Sequence, residues 1–359
     1  MPPLPHRTPR HLDMTAPPPQ RHCRVEQLWN VAARGKAALT PPIVSGMMKP
    51  QTHGGHAVGS GCQSVAAFVN QVLCGDAAKV LRRLPDASVH LVVTSPPYWN
   101  LADYGVEGQI GQSSYERYLD DLLEVWAEVE RVLIPNGKLA INTAIVPVAK
   151  KEDNSSHTRQ LKNLNNDIEY SILYRGRCAL QRYSLFIWQK QTSVKMFGSY
   201  PYPPNLYEDN TIEFINVFVK PGKPRSLPAA VKERSRLTLD QWLNLTMQVW
   251  PIYPEDVART GGHPAPFPVK LPQRLILMYT FAAVPEADFP GDIVLDPFCG
   301  TGATCLAAKS TGRRYIGIDL NPDYCSFARR RLEAPDLDPQ DITLPRVKVQ
   351  SARHGEGRR

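Results

Sequence analysis

Two short segments of the chain combine residue types that suit close binding of a ligand. The first, residues 94–99, is Thr-Ser-Pro-Pro-Tyr-Trp and directly follows an apolar run. Consecutive prolines make a backbone rigid and carry no N–H group, which leaves their carbonyl oxygens as acceptors. The Ser95 hydroxyl and the Pro96 carbonyl could therefore accept hydrogen bonds from an exocyclic amino group, while Tyr98 stacks on the ring that carries it. Taken alone, the segment is more typical of an ordinary Pro-Pro turn with a buried tyrosine.

The second segment, residues 296–302, is Asp-Pro-Phe-Cys-Gly-Thr-Gly, between an apolar run and a helical pattern. A glycine turn lets the backbone approach a ligand closely, and the helix N-terminus beyond it favours an anionic group. Asp319 ends the next apolar run, 17 residues beyond Gly302, where a carboxylate typically binds ribose hydroxyls. Together these residues predict a nucleoside-bearing cofactor. A nicotinamide dinucleotide is disfavoured, because G-x-G-x-x-G needs Gly or Ala where Cys305 stands.

The elements that position both segments alternate between strand and helix along the chain. Apolar runs predict strands, and apolar residues at helical spacing, such as Tyr118, Leu122 and Val129, predict helices. The strands are predicted at residues 69–73, 89–94, 138–143, 293–295 and 315–318, and the helices at 77–84, 115–133, 271–283, 303–310 and 323–332. This alternation indicates an α/β fold with a largely parallel sheet.

The composition excludes several classes of protein. With 42 % hydrophobic residues the chain can bury a large core, and no stretch approaches the roughly 18 apolar residues of a membrane span. Seven cysteines without a C-x-x-C pair argue against a disulfide scaffold and a zinc site, so we expect no metal and a cytoplasmic location. Residues 1–64 are predicted to be a disordered leader, since residues 1–50 hold ten of the 34 prolines. The leader is either an extension upstream of a true start at Met47 or Met48, or a genuine basic arm.

The chemistry-bearing segments resemble motifs of the DNA amino-methyltransferases that use S-adenosylmethionine. Residues 95–98 resemble the catalytic (D/N/S)-P-P-(Y/F) motif, and residues 296–302 resemble the F-x-G-x-G cofactor motif. The catalytic motif comes about 200 residues first, an order similar to that of the circularly permuted beta group. Residues 74–76, Cys-Gly-Asp, resemble the G-D element that contacts the cofactor adenine. Residues 263–268, His-Pro-Ala-Pro-Phe-Pro, resemble the segment that closes over the methionine part, and residues 200–204 stand where the family has part of its target-base pocket.

The resemblance implies a Rossmann-like S-adenosylmethionine-dependent methyltransferase with a mostly parallel sheet, permuted motif order and a small inserted recognition region. It divides the chain into the leader (1–64), a catalytic half (65–149), a basic insertion with the target-recognition region (150–262), a cofactor-binding half (263–334) and a tail (335–359). The implied catalytic residues are Ser95, Pro96, Pro97 and Tyr98. The implied cofactor-binding residues are Asp76, Pro266, Phe267, Asp296, Phe298, Gly300, Thr301, Gly302 and Asp319.

The implied reaction is methylation of N4 of cytosine in double-stranded DNA, with the target base flipped out of the helix. Ser95 resembles the cytosine enzymes, whereas Asp is commoner at this position in enzymes that act on N6 of adenine, which stays the alternative. A protein or RNA amino-methyltransferase is less favoured, because its cofactor motif would come first. A non-catalytic DNA-binding protein on the same fold is disfavoured by the intact motifs. The resemblance is compatible with a cognate restriction endonuclease as a partner and leaves its existence open. We expect no membrane association and a monomer or homodimer.

The net charge of +8 is unevenly distributed along the chain. Residues 150–236 carry a surplus of seven basic residues and residues 1–50 a surplus of five, so the remaining segments are together acidic. A solvated surface is the simplest interpretation of a basic stretch, but this one lies between the two motif halves. We therefore expect contacts to DNA phosphates from it. The candidates are Lys150, Lys151, Arg175, Arg177, Arg182, Lys220, Lys223 and Arg225.

Overall fold

The computed structural model describes residues 64–99, 106–148, 160–192, 197–254 and 267–333. Several sequence predictions lie outside these ranges: most of the predicted leader, the tail from residue 335, Lys150, Lys151 and residues 263–266 with Pro266.

The described residues form twelve strands and eight helices. The strands are β1 (Gln71–Cys74), β2 (Val89–Thr94), β3 (Leu133–Thr143), β4 (Ile145–Pro147), β5 (Leu161–Asn163), β6 (Gln181–Lys190), β7 (Phe197–Gly198), β8 (Leu206–Tyr207), β9 (Ile212–Val219), β10 (Val249–Ile252), β11 (Ile293–Asp296) and β12 (Arg314–Asp319). The helices are α1 (Ala77–Leu81), α2 (Tyr115–Val132), α3 (Leu164–Tyr174), α4 (Ala229–Arg234), α5 (Leu239–Leu245), α6 (Lys270–Tyr279), α7 (Ala303–Ser310) and α8 (Pro322–Glu333).

Eight of these strands form one mixed sheet in the order β1-β12-β11-β2-β3-β9-β6-β10. The first five are parallel to one another, β9 is antiparallel to both β3 and β6, and β10 is parallel to β6. The carboxyl ends of β1, β12, β11 and β2 therefore meet at one edge. The predicted α/β fold with a mostly parallel sheet is confirmed.

Strand β2 shows how helices cover both faces of the sheet. Val92 packs in a cluster with Trp126 of α2, whereas Leu91 and Val93 pack in a second cluster with Leu271 of α6. All three β2 residues are at most 1 % exposed. A strand buried on both faces has no polar face, which explains the uninterrupted apolar residues 91–93 in the sequence.

Helix α2 has the amphipathic pattern that the sequence predicted. The Ser114 hydroxyl caps its first turn by accepting a hydrogen bond from the Arg117 N–H at 3.2 Å. Leu122, Trp126 and Val129 are spaced at three to four residues and lie in the core. This packing holds α2 against the sheet beside the catalytic segment.

The basic region 150–262 contributes β6, β9 and β10 to the same sheet. The sequence pattern predicted no strands in this region, because basic and polar clusters dominate its composition. Strand β9 nevertheless pairs with β3 over six residues, from Lys138↔Val219 to Thr143↔Phe214. The sheet thus continues through the region that the resemblance assigns to target recognition. Among the described residues, no helix is long and apolar enough to span a membrane.

Candidate active site

A cavity opens at the carboxyl ends of β1, β12, β11 and β2, and it joins the two sequence motifs. Its lining includes Ser95, Pro96, Pro97 and Tyr98 from the catalytic segment and Phe298, Gly300 and Thr301 from the glycine turn. Asp76, Phe267 and Asp319, also predicted, complete the group. The fold therefore places ten of the predicted site residues around one space, although the two motifs are about 200 residues apart in the sequence.

Asp319 is held at the cavity wall by the glycine turn. Its two carboxylate oxygens accept hydrogen bonds from the main-chain N–H groups of Gly300 and Asn321, each at 2.8 Å. Burial raises the pKa of Asp319, while these backbone hydrogen bonds oppose the rise. Gly300 adopts a positive φ of 49°, which directs its N–H toward the carboxylate. The turn and the acid thus form one rigid unit.

Asp296, predicted to bind the cofactor, has a structural role in the fold. It is fully buried and is absent from the cavity lining. Its carboxylate accepts hydrogen bonds from the hydroxyls of Thr94 at 2.6 Å and Thr304 at 2.7 Å. Because Thr94 precedes Ser95 directly, Asp296 ties the catalytic segment to the glycine turn. Burial raises its pKa to about 6.

Gly302, also predicted at the cofactor site, shapes the turn and is absent from the cavity lining. It precedes α7 with a φ of 84°. A Cβ atom at this position would come within 3.0 Å of the Ala328 Cβ in α8. Glycine is therefore required by backbone conformation and by close helix packing.

Asp76 lines the cavity and also caps helix α1. One carboxylate oxygen accepts a hydrogen bond from the Lys79 N–H at 2.8 Å. An aspartate at a helix N-cap is held in place by this bond. The second oxygen is the one that suits a ligand.

The catalytic segment is fixed by contacts on its protein side. The Pro97 carbonyl accepts a hydrogen bond from the Tyr118 hydroxyl at 2.9 Å. The Trp99 indole N–H donates to the Ser113 carbonyl at 3.2 Å. Trp99 has a φ of 39°, a left-handed conformation that ends the segment with a sharp turn.

Behind the catalytic segment lies a buried polar network that the sequence reasoning missed. The Ser95 hydroxyl lies 3.0 Å from the Tyr98 hydroxyl, which donates to a Glu213 carboxylate oxygen at 3.0 Å. The Asn142 amide donates to the same carboxylate oxygen at 2.5 Å and to the Tyr98 hydroxyl at 3.2 Å. The Lys190 ammonium lies 2.6 Å from the other oxygen of Glu213. Of these residues, only Asn142 had a signal in the sequence, because it is a polar residue near the end of strand β3, directly after apolar residues.

Most described candidates for DNA-phosphate contacts are instead paired within the protein. The guanidinium of Arg175 lies 2.8 Å from the Asp120 carboxylate. The Lys220 ammonium donates to main-chain carbonyls at the end of α2, including that of Leu133 at 2.8 Å. The pairs Arg182–Glu169 and Arg225–Asp292 are likewise ion pairs.

Two other candidates for phosphate contacts, Arg177 and Lys223, lie in the described part of the chain and are exposed. Tyr200 and Tyr202, in the segment compared with a target-base pocket, are 69 % and 74 % exposed and do not line the cavity. Among the described residues, no three His, Cys, Asp or Glu side chains are grouped as a metal site would require.

Comparison with known proteins supports the family resemblance. A family model described as DNA methylase, of the N6/N4 methyltransferases, matches residues 89–330. The type II methyltransferase M.Cfr9I of Citrobacter freundii is 32 % identical over 74 % of this chain and 88 % of its own length. The DNA adenine methyltransferase YhdJ of Escherichia coli is 28 % identical over 76 % of this chain and 87 % of its own length.

A solved structure of the protein TTHA0409 from Thermus thermophilus, in complex with S-adenosyl-L-methionine, has a similar fold. It is 35 % identical to this chain, with a TM-score of 0.58, and the match covers 74 % of this chain and 93 % of that one. The family model and the curated relative M.Cfr9I each span most of the chain. The chain therefore belongs to the N6/N4 DNA methylase family.

Proposed function

We propose that this protein transfers a methyl group from S-adenosylmethionine to the exocyclic N4 amino group of cytosine in double-stranded DNA. The observation that carries the proposal is the shared cavity, in which Ser95 and the Pro96 main chain lie at the end of β2 and Asp319 at the end of β12. One wall offers acceptors for an amino group, and the other offers a carboxylate for a nucleoside.

The residues around the cavity fit S-adenosylmethionine. Asp319 would accept hydrogen bonds from the ribose hydroxyls, because each of its oxygens keeps a second lone pair beside its backbone hydrogen bond. Phe298 lies at the wall with its ring packed edge-on against Trp126, 6.1 Å between centroids, and so offers a fixed apolar surface. Asp76 would bind the adenine. When bound, the cofactor supplies a methyl group that its sulfonium already activates, so the protein needs only to position the acceptor.

The catalytic segment would align the amino group for attack. The Ser95 hydroxyl and the Pro96 carbonyl would accept the two amino N–H bonds, which directs the nitrogen lone pair toward the methyl group. Alignment of this kind can lower a barrier by about 7 kcal/mol. A base inside a duplex cannot reach the cavity, so the target base would be flipped out and stacked on Tyr98. Arg177 and Lys223 would contact DNA phosphates.

The choice of cytosine rests on Ser95 at the first position of the catalytic motif. Methylation of N6 of adenine is the second candidate, supported by the identity to YhdJ, a DNA adenine methyltransferase. Both bases present an amino group beside a ring nitrogen, and the same pair of acceptors would serve either. Relatives of the type II kind also support a cognate restriction endonuclease as a partner.

Methyl transfer from labelled S-adenosylmethionine tests the proposal. The purified protein is incubated with unmethylated DNA, with RNA and with a protein extract, and labelled DNA is digested to nucleosides. We expect label in DNA as N4-methylcytosine; N6-methyladenine would support the second candidate. Label confined to RNA or protein, or no transfer at all, would contradict the proposal.

A serine variant with a matched control locates the reaction. Ser95→Ala removes an acceptor from the cavity, so transfer should fall by at least tenfold while cofactor affinity stays unchanged. Ser88→Ala is the control, because the Ser88 hydroxyl donates to the Pro85 carbonyl and does not line the cavity. Equal activity of the two variants would place the active site elsewhere.

A further inference from the structure

The buried network behind the catalytic segment has a fixed hydrogen-bond direction. Both carboxylate oxygens of Glu213 face donors: Lys190 lies 2.6 Å from one, and Asn142 and Tyr98 lie 2.5 Å and 3.0 Å from the other. Glu213 is only 7 % exposed. An ionised carboxylate can only accept hydrogen bonds, and an ammonium group can only donate them. The direction of the network is thus determined at its buried end.

This direction passes to the Tyr98 hydroxyl. The Asn142 NH₂ group points to both Glu213 and Tyr98, because its oxygen would be repelled by a carboxylate oxygen 2.5 Å away. The Tyr98 hydroxyl therefore accepts from Asn142 and directs its own hydrogen to Glu213.

The Ser95 hydroxyl is the last member of the network and the one at the cavity. Its neighbours on the protein side are the Tyr98 hydroxyl oxygen at 3.0 Å and the Asn142 main-chain carbonyl at 3.2 Å. Because the Tyr98 hydrogen is taken by Glu213, both neighbours act as acceptors for the Ser95 hydrogen. The lone pairs of the Ser95 oxygen are then left for the cavity.

We infer that Glu213, held by Lys190 and acting through Tyr98, is a positioning residue that makes Ser95 an acceptor and so selects bases with an amino group over bases with a carbonyl at the same position. The inference rests on the proposed function. A serine hydroxyl by itself can donate or accept. With its hydrogen directed away from the cavity it favours N4 of cytosine or N6 of adenine and opposes O4 of uracil or O6 of hypoxanthine.

The variant Glu213→Gln reverses the direction with little change in shape. A glutamine has one oxygen and one NH₂ group, so it cannot accept from both sides. The positive charge of Lys190 attracts the oxygen and leaves the NH₂ group facing Tyr98. The Tyr98 hydroxyl then loses its acceptor at position 213. Because the Asn142 amide could turn its oxygen to Tyr98, 3.2 Å away, each Glu213 variant is made and compared in an Asn142→Ala background, which by itself keeps Glu213 as the acceptor. The Tyr98 hydrogen then turns to Ser95 and competes with the substrate for the serine lone pairs.

Two readouts test this role after the recognition sequence has been found by sequencing modified DNA. The first is kcat, which should fall by about tenfold or more in Glu213→Gln while the Kd for S-adenosylmethionine changes by less than about twofold. The second is affinity for two duplexes that differ only at the target base, measured with S-adenosylhomocysteine present. The target is cytosine in one and uracil in the other, or adenine and hypoxanthine if adenine is methylated. The unaltered protein should bind the amino duplex about tenfold more tightly, and Glu213→Gln should lose most of this ratio.

Glu128→Gln is the matched control. It removes an ion pair between Glu128 and Arg131, whose charged atoms lie 2.8 Å apart, and Glu128 does not line the cavity. It should leave kcat and the binding ratio unchanged. A ratio that stays at the unaltered value in Glu213→Gln would overturn the inference and leave the proposed function standing. Failure of the unaltered protein to methylate DNA would overturn both.

A Lys190→Met background keeps the test valid if Glu213→Gln alone does not fold. Without the lysine, the introduced glutamine can turn its oxygen to Tyr98, so the binding ratio should remain near that of the unaltered protein. Glu213→Leu in the same background offers Tyr98 no acceptor, and the ratio should be lost. Equal ratios for the two double variants would refute the assigned direction.

Discussion

The variant Asp296→Asn tests how the buried carboxylate that joins the two motifs affects the pH dependence of stability. Asp296 is fully buried and accepts hydrogen bonds from the Thr94 and Thr304 hydroxyls and, at 3.1 Å, from the Phe298 N–H. These bonds favour the ionised form, yet desolvation outweighs them and raises the pKa from 3.8 to about 6. The ionised side chain therefore destabilises the fold at neutral pH relative to its protonated form.

The sign of the pH dependence follows from this raised pKa. The folded state binds the proton more tightly than the unfolded state, so stability from this group is present below a pH of about 4 and is lost as the pH rises through about 6. The difference between 3.8 and about 6 corresponds to about 3 kcal/mol, of which about 2 kcal/mol falls between pH 4 and pH 7.

Asparagine removes the titration and can keep the hydrogen bonds. Its oxygen can accept from Thr94 and Phe298, while its NH₂ group faces Thr304. The Thr304 hydroxyl can then donate to the Val93 carbonyl, 3.3 Å away, and accept from the amide. We therefore expect the variant to be at least as stable as the unaltered protein at pH 7, with an advantage that decreases by about 2 kcal/mol toward pH 4.

Urea denaturation of both proteins from pH 4 to pH 7.5 measures this difference. His90 contributes in the opposite sense, because burial lowers its pKa to about 4 and acidification from pH 6.5 toward pH 4 then removes stability. This contribution is common to both proteins and cancels in their difference. Asp323→Asn, at an exposed carboxylate in the first turn of α8, is the control. A difference that does not vary with pH, or a variant less stable by more than about 2 kcal/mol at pH 7, would refute the reasoning.

Three further variants separate cofactor binding, folding and DNA contact. Asp319→Ala should weaken S-adenosylmethionine binding by at least tenfold in titration calorimetry, because a carboxylate acceptor is lost; unchanged affinity would remove Asp319 from the ribose role. Lys220→Met should lower the free energy of unfolding by about 1 to 3 kcal/mol, because the Lys220 ammonium group donates to carbonyls at the end of α2. If the variant instead reduced the salt dependence of DNA binding, Lys220 would be a phosphate contact. Arg177→Ala should lower DNA affinity and reduce the slope of log affinity against log salt by about one, and an unchanged slope would exclude it from the interface.

The sequence was sufficient to predict those parts of the site that depend on one short segment of the chain. Strands β2, β11 and β12 are short apolar runs, each followed by a polar or glycine-rich turn, so both their type and the position of their carboxyl ends could be read directly. Parallel strands bring their carboxyl ends to one edge, which is why Ser95 and Asp319 meet although they are far apart in sequence.

The parts that could not be predicted depend on pairing between distant segments. Glu213 reaches Tyr98 only because β9 pairs with β3 in one register, from Lys138↔Val219 to Thr143↔Phe214. A glutamate within a strand gives no local signal of that contact. Asp296 shows the opposite case, since its motif position indicated a ligand, whereas burial beneath the cavity gave it a structural role.

Sequencing that reports modified bases and their positions tests the central claim most directly. Plasmid DNA is taken from methylation-deficient cells that produce the protein or its Ser95→Ala variant. We predict N4-methylcytosine at one defined sequence context in DNA from the first cells, and at least tenfold less of it in DNA from the second when both are sampled early after induction. Unmodified DNA from cells that contain the folded, unaltered protein would contradict the claim that this cavity methylates an amino group in DNA.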